Sequence, residues 1–299
     1  FGHRWLPFAD AASADLSLPR LLRLSLFQLS TGMAIVLLTG TLNRVMVVEL
    51  GQAAAWVSLM LAIPLLLAPA RALIGYRSDH HRSYLGWRRI PYLWSGTMMQ
   101  FGGLAFMPFA LILMTEAHSG PEWMGPVAAM GAFLLTGLGM HVAQTAGLAL
   151  ATDLATEETR PRVVALLYFM LLVGMIGSAL IFAAFLESFS YFRLIQVIQS
   201  AAVVTLVLNV AAMLKQEMRR PDLTDHRLER PTFGHAWQDF IALPRARRLL
   251  WALGVGTMGF TMQDILLEPY GAQILGLSVS ETTLLTAMFA GGMILALLL

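Results

Sequence analysis

Apolar residues run in long unbroken stretches along this chain, and polar residues cluster in the short gaps between them. A helix needs about 18 or more such residues to cross a bilayer. Runs of that length occupy 24–48, 55–76, 91–114, 126–152, 162–186, 191–214, 249–270 and 279–299. The pattern predicts an all-α, polytopic helical membrane protein. Its expected divisions are an N-terminal segment (1–23), a six-helix bundle (24–214), a long polar connection (215–248) and the start of a second bundle (249–299). Within the long connection, Phe233, Trp237, Phe240 and Ile241 recur at helical spacing after Thr232. That spacing predicts an amphipathic helix capped by Thr232 and lying on the membrane surface.

Charge orients the spans. Eighteen of the twenty Lys and Arg residues fall on one side. They comprise Arg4, Arg20 and Arg23 before the first run, a cluster from Arg71 to Arg89, Arg160 and Arg162, and the basic residues of 215–248. The opposite connections carry Glu49, Glu116, Glu122 and Glu187 without Lys or Arg. The positive-inside rule then predicts a cytoplasmic N-terminus. The pI near 9.2 reflects these loops and gives no reason to expect nucleic acid. At 13% charged residues the chain has about half the charge density of a soluble domain. It has no cysteine, and its seven histidines lack metal-ligand spacing. The first apolar run is too long for a cleavable signal peptide and lacks a small-residue cleavage site.

Sliding the chain by 225 positions sets "TLNRVMVVELGQ" (41–52) against "LLEPYGAQILGL" (266–277), pairing Leu42 with Leu267, Asn43 with Glu268 and Gly51 with Gly276. Six spans, a long loop and a restart make the two-half layout of major-facilitator-type transporters. On that layout the apolar ending "GGMILALLL" implies four further spans absent from this chain. In "GYRSDHHRSYLGWRRIP" (75–91), Gly75 and Asp79 have the G-x-x-x-D spacing of that superfamily, followed by Arg88 and Arg89 after a longer gap than usual. An acid at one helix end facing an Arg pair can latch spans together, with Asp153 as a second acidic partner; a purely topogenic Arg cluster is the other reading. "GVGTMG" (254–259) satisfies G-x-G-x-x-G but lies inside a span without a βαβ unit, so it is no nucleotide site. No nucleophile–base constellation stands out, and no enzyme is expected.

Polar residues at bilayer depth are candidates by default. They are Asn43 and Arg44; His141 and Gln144; Arg193, Gln196, Gln199 and Ser200; and Gln263, Asp264 and Glu268. Asn43, Arg44, Asp264, Glu268, Arg193 and Gln196 form the expected intramembrane polar network, in which the two carboxylates either pair with Arg44 or act as proton-coupling groups. His141 can be a hydrogen-bonded packing residue, a proton relay or a ligand through its neutral imidazole.

The strings "LPRLLRLSLFQLSTGMAIVLLTGTLNRVMVVELG", "RALIGYRSDHHRSYLGWRRIPY", "GLALATDLATEETRPRVVALLY" and "RLIQVIQSAAVVTLVLN" resemble the PucC/LhaA family of purple phototrophic bacteria over nearly the whole chain. They read slightly closer to LhaA, the core-antenna factor, than to PucC, the peripheral one. The resemblance implies a major-facilitator-like assembly factor in the inner, photosynthetic intracytoplasmic membrane. It implies light-harvesting antenna polypeptides and the reaction centre–core antenna complex as partners, with pigment-synthesis enzymes as further candidates. It also implies bacteriochlorophyll as cofactor, with His141, Gln144 or Glu268 as magnesium ligand. An alternating-access transporter of a small solute is the competing reading; spans 2, 3 and 5 offer little mid-depth charge for one, Gln100 being the main polar residue of span 3.

Overall fold

The computed structural model describes residues 8–13, 16–115, 120–121, 123–225, 230 and 232–298. The predicted positions Arg4, Glu116, Glu122 and Arg227, together with the last residue of the eighth run, lie outside them. Eight helices are long and apolar enough to cross a membrane, and the protein is a polytopic helical membrane protein. Spans 1 to 8 are Leu18–Glu49, Ala54–Asp79, Ile90–Leu113, Met124–Leu154, Arg160–Phe185, Tyr191–Met213, Pro244–Gln273 and Val279–Leu297. The apolar runs place all eight, but spans 1 and 7 begin about a turn and a half earlier than hydropathy predicts. Pro19 and Pro244 start those helices, because a proline in the first turn removes an N–H that has no helical partner anyway.

Two spans are irregular, each for a local reason. Span 1 changes from α-helix over Leu26–Ile35 to wider π-turns over Val36–Leu42 and Val45–Glu49. Span 2 breaks after Leu66 because Pro69 has no N–H to continue the ladder. There the Ala68 N–H bonds Leu65 O (2.9 Å) instead of its α-helical acceptor, Pro64 O.

Spans 3 and 4 share the largest interface. A Cβ at Gly96 would stand 2.5 Å from the Ala143 nitrogen, so only glycine permits this backbone approach. Span 1 packs on spans 5 and 6, which touch each other little. Span 8 lies on span 5 and on the wide turns of span 1, while span 7 reaches span 1 only through its later half. None of the most apolar stretch of span 7 is buried. Buried apolar side chains form two clusters, one around Phe27, Leu93, Leu150 and Leu166, the other around Leu37, Met46, Met107 and Phe133. Between the two in sequence order on their spans come Ser30, Thr97, Gln100 and Asn209, all fully buried.

The basic connections converge on one face. Arg20 bonds the Gln216 side chain (3.2 Å), and Arg162 pairs with Asp10 (3.1 Å). The expected surface helix is present at Phe233–Ala242, with the Thr232 hydroxyl accepting from the His235 N–H. Its Phe233 ring meets Tyr76 of span 2 edge-on at 5.5 Å and stacks on Trp237 at 6.0 Å.

Candidate functional site

Three polar assemblies carry the candidate residues. The first is on the basic face. Arg89, whose side chain is 6% exposed, pairs with Asp79 and places Nε 3.0 Å from Asp153 Oδ2. Its Nη1 donates to the Ser78 hydroxyl (2.6 Å), and Arg88 lies 3.7 Å from Asp153. The four residues of the expected latch thus meet, joining the ends of spans 2, 3 and 4. Glu217, which no motif marks, completes the group. Its carboxylate accepts the backbone N–H groups of Arg88 (2.7 Å), Arg89 (3.0 Å) and Ile90 (2.9 Å). These are orphan donors at the start of span 3, where a negative charge also meets the favourable end of the helix dipole. Gly86, at φ +77°, turns the 2–3 connection so that its carbonyl accepts from the Arg220 N–H (2.9 Å), and Arg219 lies over the Trp87 ring at 5.0 Å. The connection after span 6 is thereby fastened to the one between spans 2 and 3.

The second assembly crosses the bundle at mid-depth. Ser30 donates to Asn209 Oδ1 (2.6 Å), Asn209 donates to the Thr97 hydroxyl (3.1 Å), and Gln100 donates to Ser30 O (3.4 Å). Gln144 donates to Gln28 Oε1 (3.2 Å). His141 Nε2 lies 3.1 Å from Pro64 O, the carbonyl freed by the break in span 2. A carbonyl only accepts, so Nε2 carries the proton and Nδ1 the lone pair. Of this belt the sequence singles out His141, Gln144 and Gln100. Gln28, Ser30 and Asn209 are missed, because isolated small polar residues do not interrupt an apolar run.

The third assembly lies where spans 1, 7 and 8 meet. Glu268 is 1% exposed, and its Oε1 accepts from Thr286 (2.6 Å). That oxygen fills the space where a Cβ of Gly40 would stand. Asn43 donates to Ile265 O (2.8 Å), so span 7 meets span 1 at the level the internal repeat indicates. Asp264 lines a cavity of about 240 Å³ together with Thr39, Gly40 and Thr286.

The expected pairing of Arg44 with Asp264 or Glu268 is corrected. Arg44 Nη1 takes Glu49 at 2.6 Å, and Nη2 takes Leu277 O at 3.3 Å. The wide turn over Val45–Glu49 explains the choice, since i→i+5 geometry brings a residue five positions on over Arg44. Among the described residues neither carboxylate has an ion pair. Arg193 and Gln196 also stand apart from this group. Arg193 is exposed and bonds Ser188 in its own entry turn. Gln196 lines a groove of about 330 Å³ whose floor is span 1 and whose walls are spans 5 and 6.

Neither His141, Gln144 nor Glu268 fits a bacteriochlorophyll magnesium. His141 Nε2 and the Gln144 amide nitrogen are hydrogen-bonded. The cavity beside Glu268 falls below the roughly 300–1,000 Å³ usual for drug-sized ligands, and a tetrapyrrole ring with its tail is larger still.

The family model described as "PUCC protein" matches residues 41–299. Protein PucC of Rhodovulum sulfidophilum is 58% identical over 97% of this chain and 65% of its own length. An uncharacterized protein in the puhA-bchM intergenic region of Rhodobacter capsulatus is 57% identical over 96% of this chain and 61% of its own length. More distant, at 27% identity over 93% of this chain and 63% of its own length, is the bacteriochlorophyll synthase 44.5 kDa chain of Rhodobacter capsulatus. This chain therefore spans less than two thirds of each of these relatives.

Proposed function

The chain belongs to the PUCC protein family, and on that premise we propose that it is an assembly factor for photosynthetic light-harvesting complexes. It works in the inner, photosynthetic membrane of a purple bacterium, with its arginine-rich face in the cytoplasm. It binds antenna polypeptides laterally, at or near the reaction centre–core antenna complex, and handles bacteriochlorophyll without catalysing a reaction.

One observation supports a lateral partner over a polar solute. The larger cavity, about 330 Å³, is a groove on the side of the bundle lined mainly by Met33, Ile181, Phe182 and Val204. The polar side chains of the interior are instead bonded across spans 1, 3, 4 and 6. Such a belt ties helices together and leaves little to solvate a small polar cargo. The distant likeness to a protein named as a bacteriochlorophyll synthase chain is in keeping with pigment-synthesis enzymes as further partners. Because His141, Gln144 and Glu268 do not fit the magnesium, no step through bound pigment follows from them.

Gentle purification of the full-length protein from a phototrophic host tests the reading. Antenna polypeptides, alone or within core complexes, are expected to co-purify with it. Protein that is colourless and free of antenna polypeptides overturns it. Whether deleting the gene removes the core or the peripheral antenna band decides which complex is served. The alternating-access reading keeps one supporting feature, the cavity beside Asp264 and Glu268; uptake of a small solute by proteoliposomes would favour it.

A further inference from the structure

Ionised side chains buried at membrane depth need a neutralising partner, because a lone charge in a low-dielectric interior is too costly to persist. Arg89 does this for Asp79 and Asp153. Glu268 has no such partner. Its Oε1 accepts from Thr286, and its Oε2 is buried without a hydrogen bond. Arg44, the guanidinium near enough to act on it, is held by Glu49 and the Leu277 carbonyl. The Thr282 hydroxyl beside it donates to Val279 O (3.1 Å).

The orphan oxygen lies next to a cavity. Glu268 Oε2 is 3.4 Å from where a Cβ on Gly40 would stand, and Gly40 is part of the wall of the 240 Å³ cavity. Asp264, one helical turn before Glu268, lines the same space with Thr39 and Thr286. Thr39 gives its proton to Ile35 O (2.9 Å) and Thr286 gives its proton to Glu268. Both hydroxyls therefore present only lone pairs to the cavity. Its remaining named polar groups are two carboxyls, and the rest of the lining, Phe260 and Phe289 included, is apolar. A small space with acceptors and no committed donor suits a positive species.

We propose that this cavity binds one monovalent cation: a proton carried by Glu268, or an alkali ion shared by Glu268, Asp264 and the two threonine hydroxyls. The cation completes the junction of span 1 with spans 7 and 8, whose packing leaves the carboxyl enclosed. This proposal is independent of the light-harvesting reading, since it concerns charge balance within the chain itself.

Thermal unfolding of the full chain in detergent, with sodium replacing choline at constant ionic strength, tests it at mildly acidic and at alkaline pH. An alkali ion raises the Tm by about 5 °C at alkaline pH through binding-linked stabilisation. A proton gives a similar rise on acidification in choline alone, and infrared spectra then show a carboxylic-acid C=O band assigned by its loss in Glu268→Gln. The ionisable groups facing Glu268 are Asp264 on its own span and Arg44 on span 1, with Glu49 behind it; spans 5 and 8 contribute Met175, Thr282, Thr286 and Phe289. Glu268→Gln, equal in shape and permanently neutral, is expected to lose whichever response the native chain shows. A Tm indifferent to both sodium and pH overturns the proposal, as does a response that survives in Glu268→Gln. Should that variant not fold, Asp264→Asn and Thr39→Val must each weaken the same response, and no change in either overturns the proposal.

Discussion

The junction on the basic face and the junction around Glu268 both hold charged groups away from water, yet they balance them differently. At the first, Arg89 is 6% exposed while its carboxylate partners Asp79 and Asp153 are 48% and 37% exposed. Charge is matched by charge, water reaches the acids, and Glu217 satisfies the helix start behind the arginine. At the second, a carboxyl is enclosed among threonines and glycine while the neighbouring arginine serves Glu49. The first junction is complete within the chain, and the second is complete only with something added. Burial alone therefore does not separate a structural charge from a functional one; the set of partners does.

Four substitutions press on this contrast, taken from the largest expected effect to the smallest. Arg89→Ala strands Asp79 and Asp153, and is expected to lower stability by about 3 kcal/mol, the low end for a broken buried pair because the acids are partly solvated. Thermal unfolding in detergent measures this, and a loss under about 1 kcal/mol would show the pairs to be ornamental. Gly40→Ala drives a methyl group into Glu268 Oε1 and should cost about 2 kcal/mol. Combined with Glu268→Ala the cost should largely vanish, since the two changes share one contact. Glu217→Ala leaves three N–H groups at the start of span 3 without their acceptor, for about 1–2 kcal/mol. Hydrogen exchange at Arg88, Arg89 and Ile90 should rise with it. His141→Leu removes one hydrogen bond to a half-buried carbonyl, for about 1 kcal/mol. It is also expected to leave pigment content unchanged, and a loss of pigment on that substitution would return His141 to the candidate magnesium ligands.

Legibility in the sequence tracked the size of the physical signal. Whole spans are read well because each rests on about twenty residues, and even their errors sit at prolines, which start helices without being apolar enough to count. Asp79, Arg88, Arg89 and Asp153 could be named because charge at a span end is rare and two of the four lie in one signature. Glu217 carries as much of that junction but sits in a polar stretch among other charges, where nothing in spacing marks it. The repeat placed Glu268 beside the Asn43 region of span 1, and the contact of its carboxyl with Gly40 agrees. The partner of Arg44 was misjudged because a helix was assumed to keep its ordinary pitch. The belt of Ser30, Thr97 and Asn209 left no trace, since each residue alone is unremarkable and only their meeting across three spans gives them weight.

The wide turns of span 1 have a consequence for the chain's tolerance of length change. Each residue of an ordinary helix advances the azimuth by about 100°, so deleting one position between Val36 and Leu42 would relax the stretch to standard winding and swivel everything beyond it. Asn43 and Arg44 would then rotate away from Ile265 and Leu277 toward the lipid, while the half of the helix on the basic side kept its seat. A single missing codon there would uncouple the second bundle from the first without altering the hydropathy of either.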